Sequence, residues 1–136
     1  MVSVVVAGAR TPMGRMQGAL SSLTAPQLAG VAIRAALERS GLSADDVDQA
    51  LVGQVLQAGV GQSPARQAAV AGGLPMTVPA TAVNKVCLSG LDAIALADQL
   101  IRAGECDVVV AGGMESMTCA PHLLPGARAG IRYGNT

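Results

Sequence analysis

Ala80-Thr81-Ala82-Val83-Asn84-Lys85-Val86-Cys87-Leu88-Ser89-Gly90-Leu91 is the stretch from which the fold can be read. Its first part, Ala80 to Val86, predicts a strand. Its second part opens a helix over Leu88 to Ala103. Leu91, Ile94, Ala95, Leu96 and Ile101 recur there at three- and four-residue spacings, and Gly104 supplies the stop. A strand that runs directly into a helix is the repeating unit of a layered α/β fold.

The same alternation extends outward in both directions. Toward the C-terminus, Asp107 to Ala111 is a short apolar strand, and Gly112-Gly113 after it reads as a turn that lets backbones approach. Toward the N-terminus, Gln49 to Val55 predicts a strand. Ala58 to Ser63 predicts a loop, and Pro64 to Ala71 a helix closed by Gly72-Gly73. Thr24 and Gln27 have capping-box spacing, with Pro26 tolerated in the first turn. The helix they start is expected to turn Leu28, Val31, Ala35 and Leu37 inward and to end at Gly41. Ser3 to Ala9 is expected to be the first, buried strand, followed by a loop over Arg10 to Ser22. The order β-α-β-α-β-α-β implies an α/β fold with layers around a mostly parallel sheet. Pro121 to Thr136 has no clear period and reads as a loop or the start of a further module. A chain that stops there is expected to be an incomplete domain.

Composition narrows the classes of function. The chain has 136 residues, enough for one domain with a conventional core. Apolar residues make up 51% of it, yet it has no Trp or Phe and one Tyr. That composition suits close helix-on-sheet packing and offers no stacking platform for single-stranded nucleic acid. Nine Lys plus Arg balance nine Asp plus Glu, with no basic block, which argues against DNA binding. No apolar run reaches the length of a membrane span, and Met1 to Val6 lacks the basic lead of a signal peptide. Three cysteines without CxxC spacing disfavour a disulfide framework or a zinc site and point to a reducing cytoplasm.

Cys87 is the candidate nucleophile. It falls where a strand ends and a helix begins, the geometry of a nucleophile elbow without the serine-type motif. The first N–H groups of a helix favour an anion and can donate to the oxyanion of a bound carbonyl. A helix terminus stabilises a nearby anion by about 0.3–1 kcal/mol, too little to replace a base. The bland alternative for Cys87 is a small buried hydrophobe. His122, the only histidine, lies in a loop beside Pro121 and is a poor base candidate. Glu115 reads as a helix-start or salt-bridge residue rather than a functional carboxylate. Asp45, Asp46 and Asp48 read as a solvated acidic turn, and the Met114/Met117 pair as packing. Cys106 and Cys119 read as structural or incidental. The loop glycines Gly59 and Gly61 match neither a phosphate loop nor a dinucleotide fingerprint.

Four stretches together resemble the N-terminal part of the thiolase family, the acetyl-CoA acetyltransferases. They are Ala7 to Pro12, Gly53 to Leu56 with Gly61 to Ala69, Val83 to Leu91, and Ala111 to Thr118. The match covers nearly the whole chain. It implies a thiolase-like N-terminal domain over residues 1–120, incomplete, with residues 121–136 starting a loop domain that carries tetramer contacts. It implies that Cys87 takes an acyl group as a thioester, with its own backbone N–H as an oxyanion donor. The acyl group would come from acyl-CoA or from thiolytic cleavage of 3-ketoacyl-CoA, and would pass to a second acetyl-CoA or to CoA. Leu88 departs from the glycine common in the family at that position. The resemblance further implies acyl-CoA substrates, no metal, no bound cofactor, a place in fatty acid metabolism and a homo-oligomer, dimer or tetramer. The family's histidine base, second cysteine and oxyanion asparagine match no stretch here. The 136 residues alone are therefore expected to be inactive. The competing expectation is a non-catalytic, thiolase-like assembly domain.

Overall fold

The computed structural model describes residues 2–130. Its main elements are α1 (Ala25–Ser40), β1 (Gln49–Gly53), α2 (Pro64–Ala71), β2 (Ala80–Val83), α3 (Ser89–Ala103) and β3 (Val109–Gly113). The three strands form one parallel sheet in the order β2-β1-β3. The chain steps from β1 to β2 on one side, then crosses back over β1 to reach β3. Parallel crossovers share one hand, so reversing direction sends successive helices to opposite faces. The packing agrees. Ala50 and Val52 of β1 join Ala65, Ala68 and Ala69 of α2 in one core, while Leu51 joins Ala93 and Ala97 of α3 in the other. A central strand buried on both sides is what its unbroken run, Ala50-Leu51-Val52-Gly53, requires.

The capping signals act as expected. The Thr24 side chain accepts from the Gln27 N–H, and the Gln27 side chain accepts from the Thr24 N–H. Gly41 closes α1 in the left-handed conformation. The inner faces of the helices differ from expectation. In α1 the buried residues are Ala25, Pro26, Ala29, Gly30 and Ile33, and Val31 is exposed. In α3 they are Ser89, Ala93 and Ala97, whereas Leu91 and Ile94 face outward. For α1 the cause is its close approach to α2. A Cβ on Gly30 would stand 2.7 Å from Ala71 Cβ, and one on Gly72 would stand 2.5 Å from Ile33 Cγ2. Contacts this close admit only small residues at that seam, while Ile33 is buried and Leu37, Leu96 and Leu100 pack against the two cores from partly buried positions.

The expected first strand is a second correction. Among the described residues Ser3 to Ala9 pairs with no strand, so the sheet there has three strands rather than four, and Val2, Val4, Val5 and Val6 are exposed. Side chains hold the segment instead of a backbone ladder. Ser3 Oγ donates to Asp98 Oδ1 on α3, and Arg39 Nη1 on α1 donates to Gly8 O at 2.8 Å. Boundaries shift elsewhere by a few residues. Gly112-Gly113 belongs to β3 rather than following it. Tyr133 and the remaining residues beyond 130 lie outside the described part.

Candidate active site

Register brings the three strand ends together: Gly53 lies opposite Val83 on one side and Gly113 on the other. Beyond this carboxyl edge come Gln54 to Leu56, Asn84 to Cys87, and Met114 with Glu115. Ligands in open α/β sheets gather at such an edge. Three glycines seat the start of α3 there. A Cβ on Gly53 would lie 2.4 Å from Ser89 C, and one on Gly113 would lie 3.0 Å from Gly90 Cα. With hydrogens in place of those methyl groups, the first turn of α3 rests directly on β1 and β3.

Between β2 and α3 the chain makes a tight turn. Leu88 N–H donates to Lys85 O and Ser89 N–H to Val86 O, both at 3.1 Å. Val86 has φ of +52° and is 65% exposed. A β-branched residue in the left-handed region is a strained outlier that its surroundings must hold in place. Those surroundings are specific. Val86 N–H donates to Asn84 Oδ1 at 3.1 Å, and Ser89 Oγ donates to Val86 O at 2.5 Å. Ser89 Oγ also accepts from Lys85 N–H at 2.9 Å and is buried, 4% exposed. Asn84 Nδ2 reaches across to Val55 O at 3.3 Å.

Cys87 follows this turn as an exposed free thiol. Leu88 occupies the cap position of α3 and gives no side-chain cap. Among the described residues, the N–H groups of Cys87 and Leu91 find no backbone acceptor outside the helix. Lys85 Nζ lies 2.7 Å from Asp92 Oδ1 in an exposed pair, so its charge is directed at Asp92.

The other candidates are placed as follows. Glu115 neither starts a helix nor forms a salt bridge. Its Oε2 accepts from Val55 N–H at 3.0 Å and Leu56 N–H at 3.2 Å, tying the end of β3 to the turn after β1. Among the described residues its Oε1 is buried without a partner, as is Oε1 of Gln54, a residue only 2% exposed. Gln54 lines a cavity of about 100 Å³ with Gln67, Ser116 and Cys119. His122 is exposed, and among the described residues it makes no hydrogen bond to Cys87. Cys119 Sγ donates to the carbonyls of Ser21 and Leu23, each at 3.5 Å. Cys106 Sγ donates to Gln49 Oε1 at 3.7 Å. Burial pushes the Cys106 thiol up, helped by the charges of Asp48, Glu105 and Asp107. Met114 is buried in the core, whereas Met117 is exposed. Among the described residues, no group of three or more His, Cys, Asp or Glu could hold a metal ion. Asn84 and Ser89 are contributions that the linear pattern did not single out, and the cross-strand role of Glu115 is one it did not foresee. Ser89 leaves a local trace, a hydroxyl in the first turn of a helix. Asn84 and Glu115 act through contacts 29 to 60 residues away, which no local pattern records.

The three-stranded parallel sheet, with a cysteine at the strand-to-helix turn on its carboxyl edge, defines an α/β protein with an elbow cysteine. The family profile described as "Thiolase, N-terminal domain" matches residues 3–136, and the chain belongs to that family. It is 60% identical over 132 residues to a probable acetyl-CoA acetyltransferase of Mycolicibacterium smegmatis, covering 97% of this chain and 34% of the relative. It is 53% identical over 132 residues to the acetyl-CoA acetyltransferase of Cupriavidus necator, covering 97% and 34%. With a probable acetyl-CoA acetyltransferase of Escherichia coli it shares 50% identity over 137 residues, covering 100% and 35%. The chain thus spans about a third of the length of these curated relatives.

Proposed function

We propose that this chain supplies the nucleophilic third of an acetyl-CoA acetyltransferase. Cys87, as its thiolate, attacks the thioester carbonyl of an acyl-CoA or the 3-keto carbonyl of a 3-ketoacyl-CoA. The S–C bond to Cys87 forms, the bond from the carbonyl carbon to its leaving group breaks, and the leaving group departs as the CoA thiolate or the acetyl-CoA enolate. The acyl-enzyme then reacts with a second acetyl-CoA, as its enolate, or with CoA. The observation that carries this reading is the turn itself. Cys87 stands exposed at the start of α3, one residue past a strained backbone, with its own N–H free to meet an oxyanion.

Among the described residues His122 makes no hydrogen bond to Cys87, and a helix terminus is too weak a substitute for a base. We therefore assign the 136 residues alone no turnover of their own. We assign residues 1–120 to the N-terminal domain and residues 121–136, of which those beyond 130 lie outside the described part, to the opening of the loop domain of a homo-oligomer. Acyl-CoA carries the substrate, with no bound cofactor. No described helix is long and apolar enough to cross a membrane. Three free cysteines suit the reducing cytoplasm to which we assign the protein.

The test compares the 136-residue chain with a full-length protein, this sequence continued to the length of its relatives. The full-length protein is expected to condense acetyl-CoA or cleave acetoacetyl-CoA, and its Cys87→Ser variant to lose that activity. Multiple turnover by the 136-residue chain would refute the inactivity of these residues alone. Full activity of Cys87→Ser would leave the assembly-domain reading standing.

A further inference from the structure

We infer that Asn84 and Ser89 are positioning residues for Cys87, acting through Val86, which they clamp in a left-handed conformation. The inference rests on the reading of Cys87 as the nucleophile. Both polar groups of the Val86 backbone are held by side chains: its N–H by Asn84 Oδ1 at 3.1 Å, its carbonyl by Ser89 Oγ at 2.5 Å. The two ends of the clamp are anchored independently. Asn84 Nδ2 grips Val55 O at 3.3 Å, and the Val55 N–H is in turn bonded to Glu115 Oε2 at 3.0 Å. Ser89 is buried against Gly53, where no side chain separates the helix from the sheet. The side chain of Val86 is mostly exposed and buries little in return for its strained φ of +52°. Packing of Val86 does not account for that conformation, and the clamp does. If the clamp is released, a β-branched residue relaxes toward negative φ. Cys87, the next residue, then rotates away from the free N–H groups at the start of α3.

Glycine adopts φ near +52° without strain, which separates the clamp from a general structural role. In the full-length protein, Asn84→Ala is expected to slow acetylation of Cys87 by acetyl-CoA roughly ten- to a hundredfold, as a misplaced reacting group does. Alkylation of the same thiol by iodoacetamide, which demands no fixed orientation, should change less than about threefold. Val86→Gly alone should leave acetylation within about threefold, and Val86→Gly added to Asn84→Ala should recover most of the loss. Ser89→Ala should follow Asn84→Ala in direction. If Asn84→Ala does not fold, recovery of the folded protein by Val86→Gly supports the same conclusion. Acetylation of Asn84→Ala at the parent rate overturns the inference, as does a defect in acetylation or folding that Val86→Gly leaves in place. Absence of any acetyl adduct in the parent protein is a different failure: it removes the nucleophile reading itself.

Discussion

Asp48 shows how one residue can serve a part of the chain far from its neighbours. Its Oδ2 accepts from Asp107 N–H at 2.7 Å and from Val108 N–H at 2.9 Å, tying the chain before β1 to the entry of β3. It was expected to belong to a solvated acidic turn with Asp45 and Asp46. Asp45 and Asp46 do stay local: Asp45 N–H donates to Ser43 Oγ at 3.3 Å, and Asp46 Oδ2 accepts from Ser43 N–H at 3.0 Å. The N–H groups of Val108 and Asp107, in that order, hold the Asp48 carboxyl below its ordinary value. A carboxyl depressed by folding adds stability above its unfolded-state pKa, about 3.9, and loses it as pH falls through the folded value. The thermal-midpoint deficit of Asp48→Asn in the full-length protein should therefore be full at neutral pH. It should shrink on acidification below about pH 4. A deficit that stays constant on acidification would contradict the role of the charge. At this scale the position of Cys87 between β2 and α3 was legible, because a strand-to-helix junction is a local pattern. Asp48 and Glu115 were not, because their partners lie about 60 residues away in sequence.

The elements were legible where caps and breakers mark them. Pro64 to Ala71 is a helix with the expected bounds, and Gly41 and Gly104 both end helices in the left-handed conformation. The buried faces were not, because large apolar side chains dominate a reading by periodicity, whereas glycine and alanine set the distance between these layers. Gly53→Ala tests this. Its new Cβ would meet the backbone of Ser89 and Gly90 at 2.4–2.6 Å, a neighbour that cannot rotate away. An overpacked backbone contact costs about 1–3 kcal/mol, so denaturant unfolding should show a loss of that size. Gly112→Ala is the control in the neighbouring strand, since a Cβ there meets nothing within 4 Å. Equal losses from the two substitutions would show that close approach is not what Gly53 provides. The strand expected over Ser3 to Ala9 failed for a different reason. Its composition allows a strand but does not specify a partner, and the segment is held by the Ser3–Asp98 and Arg39–Gly8 hydrogen bonds instead.

Across the whole molecule, apolar surface remains outside the two cores. Leu88, Leu91 and Ile94 on α3 are exposed, as are Val2, Val4, Val5 and Val6. The formal net charge is zero, so little repulsion opposes contact between copies. The 136-residue chain by itself should self-associate on sizing columns. A monodisperse monomer with a cooperative thermal transition would contradict this. The fold class was legible because the alternation of elements is global and the four family stretches span the chain. The central claim, that Cys87 accepts the acyl group, is tested most directly by intact mass and peptide mapping. The full-length protein would be quenched during reaction with acetyl-CoA. One acetyl group is expected on the peptide bearing Cys87, absent from Cys87→Ser. An unmodified Cys87 throughout turnover, or an adduct that survives Cys87→Ser, would contradict it.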